Sequence, residues 1–173
     1  QKFLVRMKMT EAKEWLKKKS TEFRCLCADD LSAITDFFFL WSLFEFKILK
    51  TNANVAFICA EVSAWEASKQ IDATMFKDEL AYFCHRYYAE GSFTGSFNNL
   101  NFGKSDRECL VRDVISKNNE DPKDCLSAAL IIVYRYRNNL FHGGKWEYNL
   151  KGQLDNFRNA NSILMKVMDE WGL

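Results

Sequence analysis

Proline occurs once in 173 residues and glycine only seven times. A chain so short of turn-formers cannot be a run of brief strands and tight turns. It suits long helices with short connections. No charge of one sign prevails either, with 24 Lys and Arg against 23 Asp and Glu. Any nucleic-acid surface must then be local or made by association, since the whole chain has no basic excess. Histidine occurs twice, at His85 and His142, and neither has companions at metal-ligand spacing, so no metal site is expected. The glycines are scattered and follow no strand, which excludes a phosphate-cradling loop, and no cofactor is expected. The densest apolar run, 37–46, is broken by Ser42 and Glu45, too short for a bilayer, so no membrane partner is expected. No signal peptide stands out. The six cysteines, at 25, 27, 59, 84, 109 and 125, include no CxxC pair. They read as free thiols that behave as small hydrophobes in a reduced, cytoplasmic protein. The chain starts with Gln1 rather than Met, which suits a domain cut from a longer protein.

What the sequence has in plenty is apolar and aromatic. Hydrophobic residues make up 48%, with 15 Phe and 5 Trp, enough for one sizeable core without disulfides. Apolar residues recur at helical spacing almost throughout. This predicts a single-domain, all-α bundle of five to seven helices over 1–173. Residues 3–19 read as a helix ending in Lys17-Lys18-Lys19, and 20–29 as a connection or short helix. Asp29 or Asp30 is expected to cap a long helix to about Lys50 whose apolar side runs nearly all round. Such a helix lies centrally in its bundle or at a subunit interface. Asn52 or Asn54 starts a third helix to about Ile71, and Thr74 opens a fourth to about Glu90. That fourth helix carries His85, a surface or interface residue. The stretch 91–106 (GSFTGSFNNLNFGKSD) leaves the helical pattern. Its phenylalanines either stack on bases or pin the loop to the bundle. A short helix from Ser105 or Asp106 follows, then the helix that begins at Asp121-Pro122, and a last one over 154–171.

The helix after Pro122 organises the rest. Asp121 suits its N-cap and Pro122 its first residue. Residues 128–145 read AALIIVYRYRNNLFHGGK, apolar at first and then basic and polar, stopping at Gly143-Gly144. Within it, Arg137-Asn138-Asn139-Leu140-Phe141-His142 has the form R-N-x-x-x-H. This resembles the motif of HEPN domains, an arginine and a histidine with four to six residues between them and a polar residue often directly after the arginine. The resemblance covers the layout of most of the chain, but only this stretch is specific. It implies a helical bundle whose twofold homodimer brings both motifs to one composite cleft, and in many members a metal-independent RNA endonuclease. A toxin, abortive-infection or phage-defence role would follow, with an antitoxin or a larger protein as context.

On that reading His142 transfers a proton at the 2′-OH or at the 5′-oxygen leaving group. Arg137 stabilises the charge on the phosphorane-like transition state, and Asn138 binds a phosphate oxygen or holds the imidazole. Arg135, Asn139, Lys145 and Glu45 are the substrate-binding candidates beside them. Glu45, the single acid in the apolar run 37–46 of the second helix, either orients Arg137 or His142 or pairs with Lys47 or a nearby arginine. Ideal-helix geometry complicates the choice of arginine. Arg137 and His142 point roughly 140° apart, whereas Arg135 falls within about 20° of His142. The family pattern favours Arg137 because Asn138 follows it, and Arg135 then becomes a second phosphate contact. From residue types alone, the same residues also suit a helix C-terminus whose cations offset the dipole. The alternative function is a non-catalytic RNA- or nucleotide-binding or dimerisation module on the same fold.

Overall fold

The computed structural model describes residues 10–141, 150 and 152–172. It is mostly helical, at 73% helix, with nine α-helices among the described residues and one two-stranded sheet. These are α1 (Glu11–Lys19), α2 (Thr21–Arg24), α3 (Ala28–Lys47), α4 (Val55–Ser68), α5 (Lys77–Tyr87), α6 (Gly95–Asn98), α7 (Glu108–Ile115), α8 (Pro122–Phe141) and α9 (Leu154–Trp171). A 3-10 turn, Ala73–Phe76, leads into α5, and β1 (Tyr88–Ala89) pairs antiparallel with β2 (Ser92–Phe93). The five to seven expected helices are the longer ones. The single-turn α2 and α6 exceed that count because one turn has no periodicity to read.

Helix α8 is the centre. Its stretch 125–133 is buried without interruption, and Leu126, Leu130 and Ile131 are among the largest fully buried side chains. Each such burial contributes roughly 1.5–3 kcal/mol. Its start follows from Asp121, whose Oδ1 accepts from the Asp124 backbone N–H at 3.0 Å. Helices α4, α7 and α5 pack on α8, while α9 packs chiefly on α3. Polar ties fix these neighbours. Asn161 Nδ2 on α9 donates to the Ala33 carbonyl of α3 at 3.0 Å, and Tyr82 Oη on α5 donates to Asn156 Oδ1 at 2.8 Å. Trp65 of α4 stacks on Trp171 of α9, with ring centroids 4.8 Å apart.

Several boundaries differ from expectation for local reasons. Asp30 sits inside α3 and reaches back to accept the Cys27 N–H at 2.9 Å, so the cap lies at Cys27. By contrast Asn54, one of the two expected caps, does start α4 by accepting from the Phe57 N–H at 2.9 Å. Asp72 Oδ1 accepts the Thr74 N–H at 2.8 Å, which produces the 3-10 turn before α5.

Helix α3 is not central. Phe37, Trp41 and Phe44 face the core, but Phe39 and Phe46 are 72% and 64% exposed, with Phe38 and Leu43 also outward. The all-round apolar pattern therefore marks a surface helix with a greasy outer face. Among the described residues no helix is long and apolar enough to cross a membrane.

Candidate functional site

Two arginines leave the same turn of α8 in different directions. Arg135 is buried, with 8% of its surface exposed. Its Nη1 contacts Asp106 Oδ2 at 2.7 Å, its Nε donates to the Leu100 carbonyl at 3.0 Å, and its Nη2 donates to the Asn101 carbonyl. Asp106 in turn accepts from the Gly103 N–H at 2.6 Å. Asn139, one turn further on, donates from Nδ2 to the carbonyls of Asn99 and Leu100 at 3.0 and 3.2 Å. These groups close the irregular segment 99–106 against α8. Every nitrogen of the Arg135 guanidinium already has an acceptor, so Arg135 holds a loop and does not meet phosphate from solvent. Asn139 is likewise committed to the loop. Both had been expected to contact substrate.

The phenylalanines of the stretch 91–106 are also committed inward. Glu90 and Gly91, at φ +52° and +77°, make the tight turn between β1 and β2. Positive φ at both central residues is what a two-residue hairpin turn requires. Phe97 is 1% exposed, lies 4.6 Å from the Phe93 ring and 5.4 Å from Phe102, and is covered by the Arg112 guanidinium at 4.8 Å. The phenylalanines pin the loop to the bundle, and Phe97 has no face left for a base.

Arg137 has different surroundings. About a third of its side chain, 34%, is exposed. Its Nη1 donates to Asn138 Oδ1 at 3.1 Å, and its Nη2 lies 3.8 Å from Glu45 Oε2. The guanidinium also lies 5.2 Å from the centre of the Phe141 ring, in the range for a cation–π contact. Its Nε is buried and has no acceptor among the described residues. Glu45 is held in turn by Trp41, whose Nε1 donates to Oε2 at 2.7 Å. Glu45 thus meets Arg137, one of the partners expected for it, across the α3–α8 contact. Asn138 is buried beside Arg137 and steadies it.

Phe141 extends this cluster outward. It is 53% exposed and meets Phe38 edge to face at 4.9 Å. The charged cluster therefore borders the outer aromatic face of α3. His142 and Lys145 lie outside the described residues, as does the Gly143-Gly144 stop. His85 is exposed on α5 and lines a cavity of about 670 Å³ with Cys84 and Cys125, in which none of the motif residues takes part.

Sequence reasoning missed Asp106 as the partner that commits Arg135, and Trp41 as the donor that holds Glu45. An acid in a loop and an indole in an apolar helix carry no spacing signal for either contact. All six cysteines are free thiols, with Cys59, Cys84 and Cys125 buried. Burial pushes the Cys84 and Cys125 thiols up, the latter to about 11, which keeps both protonated at neutral pH. Among the described residues, no group of three or more His, Cys, Asp or Glu is placed to hold a metal ion. The chain matches no family model, no curated protein and no solved structure.

Proposed function

We propose that this chain is a HEPN-type, metal-independent RNA endonuclease that works as a twofold homodimer. The observation that carries the reading is the state of Arg137. It is the half-exposed cation at the end of a buried helix, five positions before His142. It is oriented by Glu45 and Asn138, and it is only partly neutralised by a carboxylate at 3.8 Å. A guanidinium so held keeps charge and donors for a phosphate oxygen at no cost in reorganisation.

The reaction is attack of the RNA 2′-oxygen on the adjacent phosphorus. The 2′-OH proton leaves to a base, the P–O5′ bond breaks, and the departing 5′-oxygen takes a proton. The products are a 2′,3′-cyclic phosphate and a 5′-hydroxyl. His142 acts at one of the two proton transfers, and the second copy's His142 acts at the other, which is why the dimer matters. Arg137 acts on charge that grows at the phosphorus oxygens. The outward face of Phe39, Leu43 and Phe46, which share one side of α3, supports association, because single exposed aromatics are ordinary but an apolar stripe of this kind suits an interface. That same face is what favours the second reading, a dimerisation or binding module that does not cut.

Incubation of the protein with single-stranded RNA in EDTA, followed by mapping of the ends, separates the two. Cleavage with cyclic phosphate ends is expected, lowered by on the order of 10² to 10⁴ in His142→Ala. If His142→Ala cuts as fast as the unaltered chain, the nuclease reading goes.

A further inference from the structure

On the side of α8 turned toward α5, a half-open cavity of about 60 Å³ is lined by Arg86, Tyr87, Tyr136, Asn99, Gln153 and Asn156, among others. Arg86 is the unusual member. Among the described residues no carboxylate pairs with it. Its Nε is buried without an acceptor. The phenolic groups of Tyr82 and Tyr87 lie within hydrogen-bonding reach of its side chain, with that of Tyr136 close by. Burial pushes the Tyr87 and Tyr136 hydroxyls far above the ordinary range, so both stay neutral and offer the arginine hydrogen bonds but no formal negative charge. A half-buried cation without an anion is costly unless something supplies one.

The hydroxyls add a donor. Tyr87 Oη and Tyr136 Oη lie 2.5 Å apart, in a bond that uses only one of their two protons. The other is left for an acceptor. The volume corresponds to roughly four to six water-sized positions, the size of one tetrahedral oxyanion. Amide side chains at Asn99 and Gln153 continue the wall.

We propose that this cavity is a binding site for a single phosphoryl group, taken from inorganic phosphate or from a phosphate monoester, with Arg86 as its counter-ion. The ester substituent of a monoester leaves through the open side. The proposal does not depend on RNA cleavage, and its test contains no RNA.

Titration calorimetry of the whole chain with inorganic phosphate and with methyl phosphate, at matched ionic strength in chloride, reads the site directly. Saturable one-to-one binding of at least one of the two is expected, and the stronger of them identifies the source. Arg86→Gln, similar in length and still able to hydrogen-bond, should weaken binding by on the order of tenfold to a hundredfold. Ser96→Glu alters another residue of the cavity wall, leaves the core untouched, and brings in a competing carboxylate. It too should lose the anion. If Arg86→Gln does not fold, Ser96→Glu decides alone. Absence of saturable binding by the unaltered chain, or undiminished binding by a folded Arg86→Gln or by Ser96→Glu, overturns the proposal.

Discussion

Arg135 and Arg137 stand two residues apart on one helix and have opposite fates. Arg135 is buried, ion-paired with Asp106 at 2.7 Å and bonded to two backbone carbonyls. Arg137 is about a third exposed, with its carboxylate partner at 3.8 Å and, among the described residues, no acceptor for its Nε. A guanidinium with all three nitrogens bonded inside the protein is part of the fold. One with donors in reserve, held in place from two sides, is what the proposed function takes as part of a site. The difference arises from what faces each side of α8, a loop with free carbonyls on one side and the aromatic helix α3 on the other.

The largest expected effect breaks the comparison at its structural end. Arg135→Ala leaves the Asp106 carboxylate buried without its cation, which should cost about 3–5 kcal/mol. In a domain of this size that lowers Tm by on the order of 10 °C, measured by thermal unfolding followed by circular dichroism. A melt within a degree or two of the original would contradict the loop-holding role. Asp106→Asn keeps an acceptor for the Gly103 N–H and should lose less, about 1–3 kcal/mol. It should share most of its loss with Arg135→Ala in a double-mutant cycle.

The functional end should respond in activity and hardly in stability. Glu45→Gln removes a half-exposed ion pair worth under about 1 kcal/mol, so its Tm should barely move. Because Glu45 only orients Arg137, the change should appear mainly in kcat, with RNA affinity nearly kept. Equal kcat in Glu45→Gln would show that Arg137 needs no orientation from α3.

The smallest effect is a pH control remote from both arginines. Glu79 is buried and bonded to Ser162 and Lys166 of α9. Burial raises its carboxyl, but the bonds from Lys166 and Ser162 outweigh it and hold the group below its usual value. Its folded pKa is therefore depressed. The stability it contributes is present above the ordinary glutamate range and is lost as pH falls through the folded value. Denaturant melts between neutral pH and the acid limb should lose stability more steeply in the unaltered chain than in Glu79→Gln. Parallel curves would show that the bonds do not favour the carboxylate.

Much of the fold was legible in the residues. The last helix runs from Leu154 to Trp171 as its periodicity predicts, and Asp121-Pro122 start α8 as their capping chemistry requires. Less could be read where the decisive contact is tertiary. Helix α3 looks apolar all round, and periodicity could not say that one side meets solvent. Nor could spacing choose between the arginines. Ideal-helix angles favoured Arg135, yet its direction is set by Asp106, 29 residues earlier in the chain. The loop's aromatic content read equally as a base platform or as an anchor until Phe97 was seen inside the core.

The account stands or falls on the division of labour between the two arginines, and one assay tests it: RNA cleavage in EDTA by Arg137→Ala and Arg135→Ala, each expressed per folded molecule from its own melting curve. Arg137→Ala is expected to melt like the original chain and to lose cleavage by on the order of 10² or more, as removal of a transition-state donor does. Arg135→Ala is expected to melt early and to cut in proportion to what remains folded. A folded Arg135→Ala that is inactive beside an Arg137→Ala that cuts at the original rate would reverse the assignment.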